Sequence, residues 1–206
     1  MKLSPYGSQA HRRHADRTAA TPGTAAVRRF HAKRLSSKFA MIFERILKPE
    51  NVLCGVTARG KKHCLEILSE LLANSSPDMP HEDIFARLTE RERLGSTALG
   101  RGVALPHCRF AGVNETNAAL LKLAEAVDFE SPDNEPVDLV FGLMVPEEIT
   151  DRHRVEIATI SEALKDPSVQ ARLRSARTAR ELYKGLISGQ GGPDIVPGPR
   201  RHRLGP

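Results

Sequence analysis

The stretch Glu90-Arg91-Glu92-Arg93-Leu94-Gly95-Ser96-Thr97-Ala98-Leu99-Gly100-Arg101-Gly102-Val103-Ala104-Leu105-Pro106-His107-Cys108-Arg109 brings a basic cluster, two hydroxyls, three glycines and one histidine into twenty residues. Small residues at 95, 100 and 102 let backbone N–H groups approach a ligand. Ser96 and Thr97 add donors, and Arg91 and Arg93 add positive charge. These are the parts of an oxyanion or phosphate site. His107 adds a nucleophile, because a neutral imidazole near pH 7 keeps one unprotonated ring nitrogen whose lone pair can attack phosphorus. It follows Pro106 at the end of an apolar strand, and strand ends are where α/β folds place their sites. Each part also has a purely structural reading. Gly95 suits a helix C-cap, Gly100 and Gly102 suit ordinary turns, the arginines suit a solvated helix face, and His107 suits a satisfied framework histidine. The two closely spaced glycines lack the third glycine and following helix of a dinucleotide fingerprint.

The elements that must position these residues alternate in type. Cys64, Leu65, Leu68, Leu71 and Leu72 share one helical face, predicting a helix over 62–73 that stops at Asn74-Ser75-Ser76-Pro77. A second helix is predicted from Pro80 to Arg93, with Glu82 and Asp83 in its first turn, Ile84, Phe85 and Leu88 inward, and Gly95 just past its end. Val103-Ala104-Leu105 reads as a short strand ended by Pro106, and Ala118 to Leu123 as another. Val137 to Val145 is a nearly unbroken apolar run, as in a central strand buried on both faces. Helices follow over Asp151–Leu164, from Asp166-Pro167, and from the capping-box pattern Thr178-Ala179-Arg180-Glu181. This unrepeated series predicts a single α/β layered domain.

Composition bounds the function. The chain of 206 residues is 40% hydrophobic, enough for a real core. Its net charge of +6 is unevenly spread. Residues 1–40 carry +8 and residues 191–206 carry +2, so subtraction leaves −4 for 41–190. A mildly acidic body argues against a groove for nucleic acid, and 4% aromatic content leaves few rings to stack on bases. The leader 1–40 and the Pro/Gly-rich tail 191–206 read as disordered basic extensions flanking a domain over 41–190. The leader also matches an organelle transit peptide in composition. Met41, opening Met41-Ile42-Phe43, offers an alternative start. No run reaches the length of a membrane span, and no secretory signal is evident, so a soluble cytoplasmic protein is expected. Cys54, Cys64 and Cys108 lack zinc or disulfide spacing and read as reduced thiols.

Leu99-Gly100-Arg101-Gly102-Val103-Ala104-Leu105-Pro106-His107-Cys108, preceded by Glu92, resembles the phosphohistidine signature of the type-2 enzyme IIA domains of the bacterial phosphotransferase system. Within that family it is most similar to the nitrogen-regulatory enzyme IIA. The resemblance runs from Met41 to Ser188 and includes Arg91 to Thr97, Pro136-Val137-Asp138-Leu139, Val145-Pro146-Glu147-Glu148, His153 and Glu181-Leu182-Tyr183.

The resemblance implies a small mixed β-sheet with helices on both faces, and carriage of a phosphoryl group on His107, received from a histidine phosphocarrier protein. It implies Arg91 as a charge partner and His153 as a second histidine able to donate a proton to a phosphoryl oxygen. Ser96, Thr97, Arg93, Cys108 and Arg109 complete the expected phosphate-binding set. Cys108 and Arg109 stand where nitrogen-regulatory members often carry Gly and Lys, which leaves the preferred donor open. No metal or cofactor is required, since donor and acceptor are both histidines. Two other functions remain open at this point: a sugar-specific enzyme IIA that feeds a transporter, and a non-catalytic binding module on the same fold.

Overall fold

The computed structural model describes residues 39–76 and 78–188. Most of the basic leader, the tail 191–206 and Pro77 of the expected turn lie outside the described residues. A helical segment over 39–46, α1, precedes β1 (Leu47–Val56), α2 (Lys61–Ala73), α3 (His81–Arg93), β2 (Ala98–Gly100), β3 (Val103–Ala104), β4 (His107–Phe110), β5 (Asn117–Val127), β6 (Val137–Pro146), α4 (Asp151–Lys165), α5 (Pro167–Ser175) and α6 (Ala179–Ile187).

Helices α2 to α6 fall where hydrophobic spacing and caps put them. Asp166 accepts from the Ser168 N–H and Pro167 takes the first position of α5. Thr178 accepts from the Glu181 N–H at the start of α6, while the Glu181 carboxylate reaches back to the N–H of Arg177. α1 is an addition. Phe39, Ile42, Phe43 and Ile46 repeat at helical spacing, with Phe43 and Ile46 fully buried, whereas Met41 faces solvent. The packed unit therefore includes Phe39, two residues before the expected boundary.

The six strands form one mixed sheet in the order β1-β5-β6-β3-β2, with β4 also paired to β6. β1 and β5 are parallel, β5 and β6 antiparallel, and both β3 and β4 run parallel to β6. Helices cover both faces, as the resemblance implies. On one face Leu139, Phe141, Leu143 and Val145 of β6 meet α1 and α4 to α6. On the other, Val140 and Met144 meet α2 and α3. Two buried faces explain why β6 is an unbroken apolar run rather than an alternating one. Phe43 packs edge-on against Phe141 with ring centroids 5.5 Å apart. On the opposite face, a Cβ at Gly142 would stand 2.8 Å from Leu68 Cδ2, so the absence of a side chain lets α2 seat against the central strand. No helix among the described residues is long and apolar enough to cross a membrane.

Candidate functional site

Three elements converge on His107. β3 and β4 are two pieces of one interrupted strand beside β6, and the break falls at Leu105-Pro106. At the break the Leu105 N–H turns away to Thr97 O (3.0 Å), while Pro106 O still accepts from the Leu143 N–H (2.9 Å). His107 is consequently the first residue of β4, in register with Leu143, rather than the free end of the preceding strand. α3 brings Arg91 in its last turn, where a basic side chain complements the helix dipole. α4 brings Arg154, Ile157, Ala158 and Ser161, a single face at helical spacing. Together with Arg87, Glu90, Leu94, Leu99, Leu105, Cys108, Arg109, Val145 and Ile149 they line a cavity of about 890 Å³ around His107.

The geometry fixes the imidazole's tautomer. His107 Nδ1 lies 3.0 Å from Leu105 O, and the Nε–H of Arg91 lies 3.1 Å from His107 Nε2. A carbonyl only accepts and a guanidinium only donates, so Nδ1 carries the hydrogen and the Nε2 lone pair faces Arg91. Arg91 is itself anchored through Nη1 to Gly95 O at 3.1 Å. Burial pushes the His107 pKa down, and Arg91 and Arg109 push the same way. The Leu105 carbonyl and Glu92 oppose them. A depressed histidine pKa keeps the ring neutral below the ordinary value of about 6.5. The unfolded chain then takes up a proton first as pH falls, so the stability contributed by the neutral ring is complete above about pH 6.5 and declines below it. In an NMR titration the His107 ring should titrate below an unstructured histidine, and His107→Gln should flatten this part of the stability profile. A His107 midpoint at or above 6.5 would contradict the assignment.

Of the remaining expected residues, some face the cavity, some hold the surrounding loops together, and Arg93 does neither. Cys108 and Arg109 line the cavity; Arg93 is exposed and does not. Burial drives the Cys108 thiol up to about 12 and that of Cys64 up to about 11, so neither competes with His107 as a nucleophile at neutral pH. The Ser96 hydroxyl donates to Phe129 O (2.7 Å), and the Thr97 hydroxyl donates to Glu92 (2.6 Å), whose buried carboxylate also accepts from the Thr97 N–H. Both hydroxyls close the loop after α3, and neither lines the cavity. His153 is 9% exposed and also lies outside the cavity lining. Its Nδ1 accepts from the Thr150 N–H at 3.3 Å, forming a capping box at the start of α4 in which histidine replaces the usual acidic residue. Arg154, next in sequence and about 100° further round the helix, faces the cavity instead. No cluster of three metal-type ligands occurs among the described residues.

Comparison with known proteins gives this arrangement a context. Residues 45–189 match the family described as phosphoenolpyruvate-dependent sugar phosphotransferase system, EIIA 2. The chain belongs to this EIIA type-2 family. The EIIA domain is 42% identical over 149 residues to the nitrogen regulatory protein of Pseudomonas aeruginosa, covering 72% of this chain and 97% of that relative. Among solved structures it is similar to the nitrogen regulatory protein IIA-Ntr of Neisseria meningitidis, at 36% identity and a TM-score of 0.64 over 69% of this chain and 97% of that one. It is also similar to the mannitol IIA of Escherichia coli, at 25% identity and a TM-score of 0.56 over 68% and 97%. Membership makes this EIIA domain a phosphotransfer unit of that system, with nitrogen-regulatory proteins among its strong relatives.

Proposed function

We propose that His107 is the phosphoryl acceptor, charged by a histidine phosphocarrier protein, and that the chain serves a nitrogen-regulatory rather than a sugar-feeding branch of the system. The single observation that carries the acceptor assignment is the lone pair on Nε2, held in the cavity lining by a ring whose other nitrogen is tied to Leu105. Nε2 attacks the phosphorus of the donor's phosphohistidine, the donor P–N bond breaks, and its electron pair returns to the donor ring. Nδ1–H stays in place, and the Leu105 carbonyl offsets the positive charge that grows on the acceptor ring. Support for the regulatory branch is the 42% identity to the Pseudomonas aeruginosa protein, whose name describes nitrogen regulation.

Arg91 has two tasks in this reading. In the free protein it caps the lone pair; as phosphorus approaches, it releases Nε2 and turns its donors to the phosphoryl oxygens. His153 acts as a positioning residue, fixing the start of the helix that carries Arg154 and Ile157. Incubation with phosphoenolpyruvate, enzyme I and the carrier should give one acid-labile, alkali-stable adduct on His107, and absence of label would refute the reading. Arg91→Ala removes a charge-assisted contact of about 1.5–3 kcal/mol, so single-turnover transfer should slow roughly ten- to a hundredfold while the His107 pKa rises. An unchanged rate would move the charge-partner role to Arg109 or Arg154.

A further inference from the structure

The charges around His107 exceed what the phosphoryl group alone would use. Arg87, Arg91, Arg109 and Arg154 line the cavity against one carboxylate, Glu90, a local balance of +3 in a body of −4. Arg87 is paired with Glu90 at 3.6 Å, and Arg91 holds His107 and Gly95. Arg109 and Arg154 are both exposed, and among the described residues neither has a carboxylate within 4 Å. At the same rim Leu94 is 83% exposed, the largest exposure of any bulky apolar side chain described. A phosphoryl dianion offsets about two charges and reaches only groups that touch it. A docked protein would cover the outer guanidiniums as well, and stripping water from an unpaired arginine is costly unless the partner returns negative charge.

From this charge pattern we infer that the arginine collar is a docking surface for a phosphocarrier whose phosphohistidine is ringed by aspartate and glutamate side chains, with an apolar patch to cover Leu94. The inference rests on the phosphocarrier reading above and adds the chemistry of the partner's face. Arg154 is the position to test, because it is exposed, belongs to the collar, and takes no part in holding the His107 ring. In such a pair, long-range attraction speeds encounter, and reversing a rim charge acts mainly on association rate and salt response.

The test uses the full chain and the histidine phosphocarrier encoded in the same genome, charged by its enzyme I, with phosphoramidate as a second donor that needs no docking face. The quantity read is the carrier-dependent transfer rate divided by the phosphoramidate labelling rate. In 50 mM salt Arg154→Glu should lower this ratio about tenfold, Arg154→Lys should largely keep it, and the gap should close near 0.5 M salt. Comparing variants at one position separates the collar from the basic ends of the chain, which all of them share. An Arg154→Glu ratio equal to or above the wild type would overturn the acidic-face inference while leaving the carrier reading intact. Wild-type protein that labels with phosphoramidate but never with the carrier would overturn the carrier reading itself, and failure with both donors would overturn His107 as acceptor.

Discussion

His107→Ala should abolish the acid-labile phosphoryl label, lowering acceptance on the order of a thousandfold or more, while unfolding remains a single cooperative transition. The expectation of total loss follows from the cavity's inventory. Cys108 is a second nucleophilic side chain on its wall, and burial keeps that thiol protonated far above neutral pH. Ser161 also lines the wall, but no general base is hydrogen-bonded to it among the described contacts. The fold should tolerate the change because the ring is only partly buried and contributes two hydrogen bonds, one to Leu105 O and one from Arg91, worth about 1 kcal/mol each. His107→Gln, which keeps a polar side chain beside Arg91, should be equally unlabelled and closer to wild-type stability. Residual label on either variant at more than a few per cent would place the acceptor elsewhere.

Gly102→Ala should be the most damaging small substitution near the signature, costing about 2–4 kcal/mol and lowering Tm by roughly 5–15 °C. Gly102 sits at φ +74°, a left-handed conformation that strains any residue with a Cβ. The added carbon would stand 2.7 Å from Arg174 Nη2, 2.9 Å from Asp138 Oδ1 and 3.2 Å from the Pro136 carbonyl. Those atoms belong to a two-pronged ion pair, Nε to Oδ2 at 2.8 Å and Nη2 to Oδ1 at 2.7 Å, with Nη2 also donating to Arg101 O. The methyl group would therefore have to displace the contact that ties the β2–β3 turn to α5. Thermal unfolding of the variant against wild type measures the effect, and a difference below about 0.5 kcal/mol would show that the turn relaxes freely. Phosphoryl acceptance by the folded fraction should change little, because Gly102 lies outside the His107 cavity.

The glycines illustrate what the sequence makes legible. Their spacing marks a tight, specified backbone, but Gly100 and Gly102 shape a latched turn outside the lining of the His107 cavity, and nothing local announces the Asp138–Arg174 partner that latches it. Helices α2 to α6 are readable because each repeats its apolar residues at helical spacing between recognisable caps, and β6 because both its faces are covered. Three strands are not. In β1, Lys48-Pro49-Glu50-Asn51 interrupts the alternation, and the ladder to β5 slips register there. β2 and β4 have only three and four residues, too few to show an alternation, and they exist because β3 and β6 offer them partners. At the site, Arg91, His107, Cys108 and Arg109 are neighbours in sequence as well as in space. Arg154 arrives from a helix more than forty residues downstream, and only the phase of Arg154, Ile157, Ala158 and Ser161 signals the face it shares. The same phase separates it from His153, whose place in a motif draws attention that its capping geometry redirects.

The interrupted strand anchors His107 on both sides. Its residues on either side of the break are laddered to β6, a central strand covered on both faces, so the backbone under His107 cannot shift without unpairing the centre of the domain. A phosphoryl group placed there, as proposed, would change the local charge by about two units on a backbone that this ladder holds in place. The modified and unmodified forms would then differ in the charge of one face rather than in its shape. A downstream protein that distinguishes them has to do so by polarity, and its preference should weaken as ionic strength rises.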